Sequence, residues 1–115
     1  MDDGRELLKG NTPTLILAVL RDMPRHGYAI AREIERRSDK ALQFKEGTLY
    51  PALRALERDH FIAGLWEMPS AGPARKVYTL TQAGHAELDQ RTRTWAGFVQ
   101  SINSVIGGRP DGQPI

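Results

Sequence analysis

Three side chains near the middle of the chain have the types and spacing for recognition chemistry. Tyr50, Arg54 and Arg58 repeat at i, i+4 and i+8, so on a helix they share one face. A guanidinium can pair bidentately with a guanine edge or hold a phosphate. Thr48 and Tyr50 fall at the start of the same segment, where a helix dipole favours negative charge. A second basic spot, Arg75-Lys76, stands in a stretch from Met68 to His85 that contains no acid. Each group also has an ordinary explanation. Arg54 and Arg58 could be a solvated face paired with Glu57 and Asp59, and Arg75 and Lys76 two surface charges on a hairpin.

Other chemistries lack their residues. With no cysteine, disulfides and thiolate metal sites are excluded. His26, His60 and His85 lie far apart and show no metal-ligand spacing. No nucleophile elbow, phosphate-cradling loop or dinucleotide fingerprint is present. The chain reads as a non-enzyme that needs neither cofactor nor metal.

The 115 residues fit one domain, with 40 % hydrophobic residues to build its core and a formal net charge of +2. A domain this small buries a modest share of its surface, so pairing with a second copy would help it. No apolar run approaches the length of a membrane span. The opening Met1-Asp2-Asp3-Gly4 is acidic where a signal peptide would be basic. A cytoplasmic protein without membrane partners is expected.

The elements that must position these residues follow from periodicity and punctuation. Thr12-Pro13 resembles a helix start, and the nearly all-apolar run 14–20 reads as a buried central helix stopped by Pro24. A second, amphipathic helix is expected over about 28–37. A third spans about 48–59, with Leu49, Ala52, Leu53 and Leu56 as its apolar stripe and Pro51 fixing its start. Strands at 61–68 and 76–80, separated by the turn-rich 69–73, form a hairpin. Thr81 then caps a helix over about 82–106, roughly 37 Å long at ~1.5 Å per residue. Gly107-Gly108 and Pro110 end it.

Three helices, a hairpin and a long helix make a mainly α protein with a small β-hairpin. The architecture is a winged helix-turn-helix plus a long C-terminal dimerisation helix. The division expected is 1–80 for DNA binding, 81–106 for dimerisation and 107–115 as a disordered tail. In such a module the third helix enters the major groove and the wing touches the flanking backbone or minor groove.

The last helix carries its own pattern. Trp95, Phe98, Val99, Ile102, Val105 and Ile106 form an apolar stripe, and Leu88, Trp95 and Ile102 repeat at seven. The stripe is too long for one small domain to cover, which points to a homodimer interface made by these seven residues. A sharper alternative is that Trp95, with Phe98 and Val99, also lines an effector pocket between subunits, where an indole could stack on a flat aromatic compound.

HGYAIAREIE, EGTLYPALRALE and RKVYTLTQAGHAEL, in that order and spacing, resemble the PadR family of transcriptional regulators, in its short-tailed subgroup. The resemblance covers about Leu15 to Leu88. Its most specific pieces are Gly47-Thr48-Leu49-Tyr50-Pro51-Ala52-Leu53 with Leu56-Glu57, and Tyr78-Thr79-Leu80-Thr81 with Gly84. It implies a winged-helix homodimer that binds double-stranded DNA and usually represses a gene. In many members a small aromatic or lipophilic compound releases the operator. By the resemblance, Lys45, Thr48, Tyr50 and Arg54 lie at DNA, and Arg75 and Lys76 match the basic end of the wing. The rival expectation is a winged helix used for protein interaction or dimerisation, without an operator.

Overall fold

A computed structural model describes residues 4–107. Its elements are α1 (Arg5–Leu20), β1 (Arg25–His26), α2 (Gly27–Arg37), α3 (Glu46–Arg58), β2 (Ile62–Glu67), β3 (Arg75–Leu80) and α4 (Gln82–Ile106). The three strands make one antiparallel sheet in the order β1-β3-β2. This is a winged helix-turn-helix followed by a long helix. The expected 107–115 tail lies, apart from Gly107, outside the described residues.

Helix α1 is the hub. Its residues Ile16, Leu17, Val19 and Leu20 are buried, and they meet Ile30 and Ile34 of α2, Leu49, Leu53 and Leu56 of α3, and Leu88 of α4. Ile62, Tyr78 and Leu80 close the cluster from the sheet. Each long helix therefore gives one apolar face to a single core, as amphipathic periodicity requires.

Two starts differ from expectation. Helix α1 begins at Arg5, so Pro13 lies inside it rather than at its first turn. Thr12 does not cap; it is buried, and its hydroxyl donates to the Leu8 carbonyl at 2.8 Å. Proline has no N–H to give the carbonyl four residues back, and burial of the apolar turns that follow outweighs that lost bond. Helix α3 begins at Glu46, two residues early, with Pro51 in its second turn. Strand β1 was not anticipated. It is two residues long and pairs Arg25 with Tyr78 and His26 with Val77.

The base of α4 is locked by one threonine and one glycine. Thr81 Oγ1 accepts from the Gly84 N–H at 2.9 Å, completing the expected cap. The same hydroxyl donates to the His60 and Phe61 carbonyls, at 2.7 and 3.0 Å, and the Thr81 N–H donates to the Phe61 carbonyl at 3.1 Å. Gly84 lies so close beneath that a Cβ there would sit 2.0 Å from the Phe61 oxygen. That neighbour is backbone and cannot rotate away.

Gly84→Ala should therefore destabilise the fold by ~2 kcal/mol or more, the range of overpacking against a fixed group. Urea unfolding is the measurement. A midpoint equal to the parent's would show that the corner can open at no cost.

Candidate DNA interface and C-terminal helix face

The exposed face of α3 carries the residues singled out above. Tyr50, Arg54 and Arg58 are all exposed, and Thr48 is half-buried at the helix start. Lys45 occupies the N-cap position, exposed, with its carbonyl accepting from the Thr48 and Leu49 N–H groups. Tyr50 leans across α2. A Cβ at Gly27 would meet its Cε1 at 3.1 Å, so this glycine lets α2 pass beneath the ring.

Charge pairing separates the cations into two groups. On α2, Glu33 accepts from Arg36 at 2.6 and 3.0 Å and from Arg37 at 2.6 Å, with Arg25 at 3.9 Å. Hydrogen bonds from Arg36 and then Arg37 hold its carboxyl down to about 2, from 4.5. Arg37 also pairs with Asp22, and Arg32 bonds the Tyr28 hydroxyl at 2.9 Å. These arginines are occupied. By contrast, Lys45 and Arg54 form no ion pair among the described residues. Arg58 lies 3.4 Å from Asp59, as its ordinary reading supposed.

The wing's basic pair is less free than its sequence suggests. Arg75 lies 3.6 Å from Glu67 on the neighbouring strand. Lys76 crosses over Gly64 and reaches Glu57 of α3, with Nζ–Oε1 at 2.8 Å. Its ammonium also stands 5.6 Å from the Tyr78 ring centre and 5.9 Å from that of Trp66. The hydrogen bond to Glu57 raises the Lys76 pKa. Burial raises that of Tyr78, against the pull of Lys76 and Arg54. Lys76 thus ties the wing to the third helix. The glutamate expected beside Arg54 or Arg58 is spent on it.

On α4 the predicted stripe divides. Leu88 is buried in the chain's own core, so it is not free for a partner. The core accordingly includes the first turns of α4, beyond the expected boundary at residue 80. Trp95, Phe98, Ile102, Val105 and Ile106 are exposed, the last two at 86 % and 73 %. Val99 is half-buried. Trp95 and Phe98 have ring centres 6.3 Å apart.

Within the single chain, the three residues expected to line a pocket between subunits do not share one cavity. Trp95 closes a cavity of about 780 Å³ walled by α1, including Leu7, Leu8 and Leu15, and by Leu42 and Phe44 of the α2–α3 loop. Phe98 instead borders a shallower groove between α1 and α4, which Trp95 also touches, and Val99 lines neither. The α2–α3 loop wall was not anticipated, because nothing local in the sequence says that residues 40–45 fold back toward Trp95. No helix of the described residues is long and apolar enough to cross a membrane.

Lys76 and Glu57 should show mutual coupling in a double-mutant cycle of Lys76→Ala and Glu57→Gln. About 0.5–1 kcal/mol is expected for a pair this exposed. Additive effects in urea unfolding would mean that the bridge does not fasten the wing.

The comparisons with known proteins agree with this geometry. The model of the PadR-like family of transcriptional regulators matches residues 16–90. A transcriptional regulator from Mycobacterium tuberculosis is 30 % identical over 105 residues, covering 91 % of this chain and 92 % of that protein. The structure of a transcriptional regulator from Clostridium thermocellum superposes with a TM-score of 0.81 at 27 % identity, covering 86 % of this chain and 96 % of the other. PadR of Bacillus subtilis, solved in complex with operator DNA, superposes with a TM-score of 0.63 at 28 % identity. That match covers 70 % of this chain but 45 % of the longer protein. The family match spans the core, the third helix, the wing and the base of α4, and the chain belongs to the PadR-like family of transcriptional regulators.

Proposed function

We propose that this regulator is a homodimeric repressor that reads its operator with α3 and is released by a planar lipophilic compound. One observation carries the reading. Lys45, at the N-cap of α3, and Arg54, just past the helix midpoint, form no ion pair among the described residues, and they flank the half-buried Thr48 and the exposed Tyr50. Helix-turn-helix proteins present the N-terminal residues of the recognition helix to bases, and Lys45, Thr48 and Tyr50 lie there, with Arg54 one turn further on the Tyr50 face. The Bacillus subtilis relative, solved with operator DNA, supports the same use here.

The exposed half of α4 supports the dimer. Five large apolar side chains on one helix are costly in water and are covered when two copies pack together. Such a dimer would present two recognition helices to half-sites about one helical turn apart. Residues up to the base of α4 then serve DNA, and the remainder of that helix serves assembly. For the effector, the cavity at Trp95 offers apolar side chains from α1 and the α2–α3 loop, with Lys40 and Lys45 also in its lining, and an indole on which a flat compound can stack. One wall is the loop leading into α3. A ligand that prefers one placement of that loop shifts the population of the DNA-competent form by its differential affinity.

Arg54→Ala should lose ~1–3 kcal/mol of operator binding and relax preference at one base position. Lys45→Ala should weaken all duplexes alike and flatten the dependence on salt. Lys76→Ala should change the salt slope less than Lys45→Ala, because Lys76 is already paired. Titrations on a duplex selected by the protein, across a salt series, measure all three. Full affinity in both Arg54→Ala and Lys45→Ala would remove α3 as the reading element.

Assembly and release are tested on α4. Deleting residues 91–115 should give a monomeric or aggregating chain in sedimentation. In a Trp66→Phe background, flat aromatic dyes should quench Trp95, and Trp95→Ala should keep DNA binding while losing release. Release that persists in Trp95→Ala places the pocket elsewhere.

A further inference from the structure

The wing carries an aromatic side chain that neither the fold nor the reading above uses. Trp66 is 65 % exposed near the end of β2. Its register fixes which way it faces. Trp66 stands opposite Lys76, Gly64 opposite Tyr78, and Ile62 opposite Leu80. Directly opposed residues share a sheet face, and faces alternate along a strand. All six therefore lie on the face that packs on the core, and Trp66 is on its outer rim, past the last core residue. The neighbouring element on that side is α3, because Lys76 beside Trp66 reaches Glu57. Leu65 lies on the opposite face with Val77.

The indole thus continues the surface that begins with Tyr50 and Arg54, without contributing charge. Its electrostatic setting suits an anionic partner. Lys76 stands 5.9 Å from its ring centre, the nearby Glu57 and Glu67 are each paired with a cation, and no acid occurs from Met68 to His85 along the hairpin tip and β3. A wing beside a helix in the major groove meets the adjacent minor groove. That groove is about 6 Å wide and walled by sugars, so it admits an apolar side chain edge-on. Lys76 is held by Glu57, which leaves the ring as a large projecting group of the wing on this face.

We propose that Trp66 is a DNA-contacting residue that enters the minor groove flanking the site of α3, packing on sugar and base edges as an apolar wedge. The proposal rests on the DNA-binding reading above and adds a specificity element to it. Wedge insertion is easiest at pyrimidine–purine steps, which unstack readily. The wing then prefers flanking sequence by its deformability, not by its hydrogen-bonding pattern.

The experiment uses the full chain and a duplex selected by the protein from a random pool. In a Trp95→Phe background Trp66 is the remaining tryptophan. Its emission should shift and be quenched as duplex is added. Trp66→Ala should lose roughly tenfold in affinity, the scale of one aromatic–base contact. Its slope of log affinity against log salt should stay that of the parent, since no phosphate contact is removed. Trp66→Phe should recover part of the loss. Circular dichroism checks the fold, which an exposed position leaves intact. Unchanged Trp66 emission at saturating duplex overturns the proposal, as does parental affinity in Trp66→Ala. A loss accompanied by a shallower salt slope also overturns it, because the ring would then act through Lys76. In those cases Arg54→Ala still reports on α3. A parent that shows no salt-dependent duplex binding overturns both readings together.

Discussion

A carbonyl oxygen lies 2.0 Å from where a side chain at Gly84 would begin, and much of the architecture depends on that approach. The oxygen belongs to Phe61, just after α3 and just before β2. Thr81 bonds to this corner through both its hydroxyl and its N–H while capping α4. The corner is also where the chain turns sharply, with His60 in the left-handed region at φ 65°. Three elements are thereby pinned at one point: the end of α3, the root of the wing and the base of the long helix. Their relative angles follow from a few short backbone contacts. This is a physical reason for Thr81-x-x-Gly84 to accompany the wing, since a larger residue at 84 would separate all three.

Much of this was legible in the sequence where the signal is local. The bounds of α4 follow from a threonine cap at one end and Gly107 at the other, and both chemistries act within a few residues. The apolar stripe of α3 and the hairpin followed from period and punctuation. Sequence reasoning failed where a tertiary contact overrode a local cue. Thr12-Pro13 has the chemistry of a helix start, yet burial of the helix that follows places it in the interior. Strand β1 is too short to have a period. Leu88 fits a heptad with Trp95 and Ile102, but the core claims it because Gly84 draws the first turns of α4 inward.

The same distinction governs the candidate site. Residue types on α3 were readable because a helix face is a local property. The engagement of Lys76 was not, since its partner Glu57 lies 19 residues away and only the fold brings them together. Acidic partners occupy α2's arginines and Lys76, while Lys45 and Arg54 have none among the described residues. A modest net charge can therefore coexist with a focused positive edge. The distribution of pairing, not the total charge, marks the face that could meet a polyanion.

The length of α4 has a mechanical consequence. From Leu88, fixed in the core, to Ile106 the helix extends about 27 Å at ~1.5 Å per residue. A helix well anchored at one end behaves as a stiff rod, so a sideways shift of 2 Å or so at its far end corresponds to a tilt of only about 4° at its root. The long arm is thus a reduction gear. Coarse displacements at the far end become fine rotations at the root, where α4 is fixed to the core.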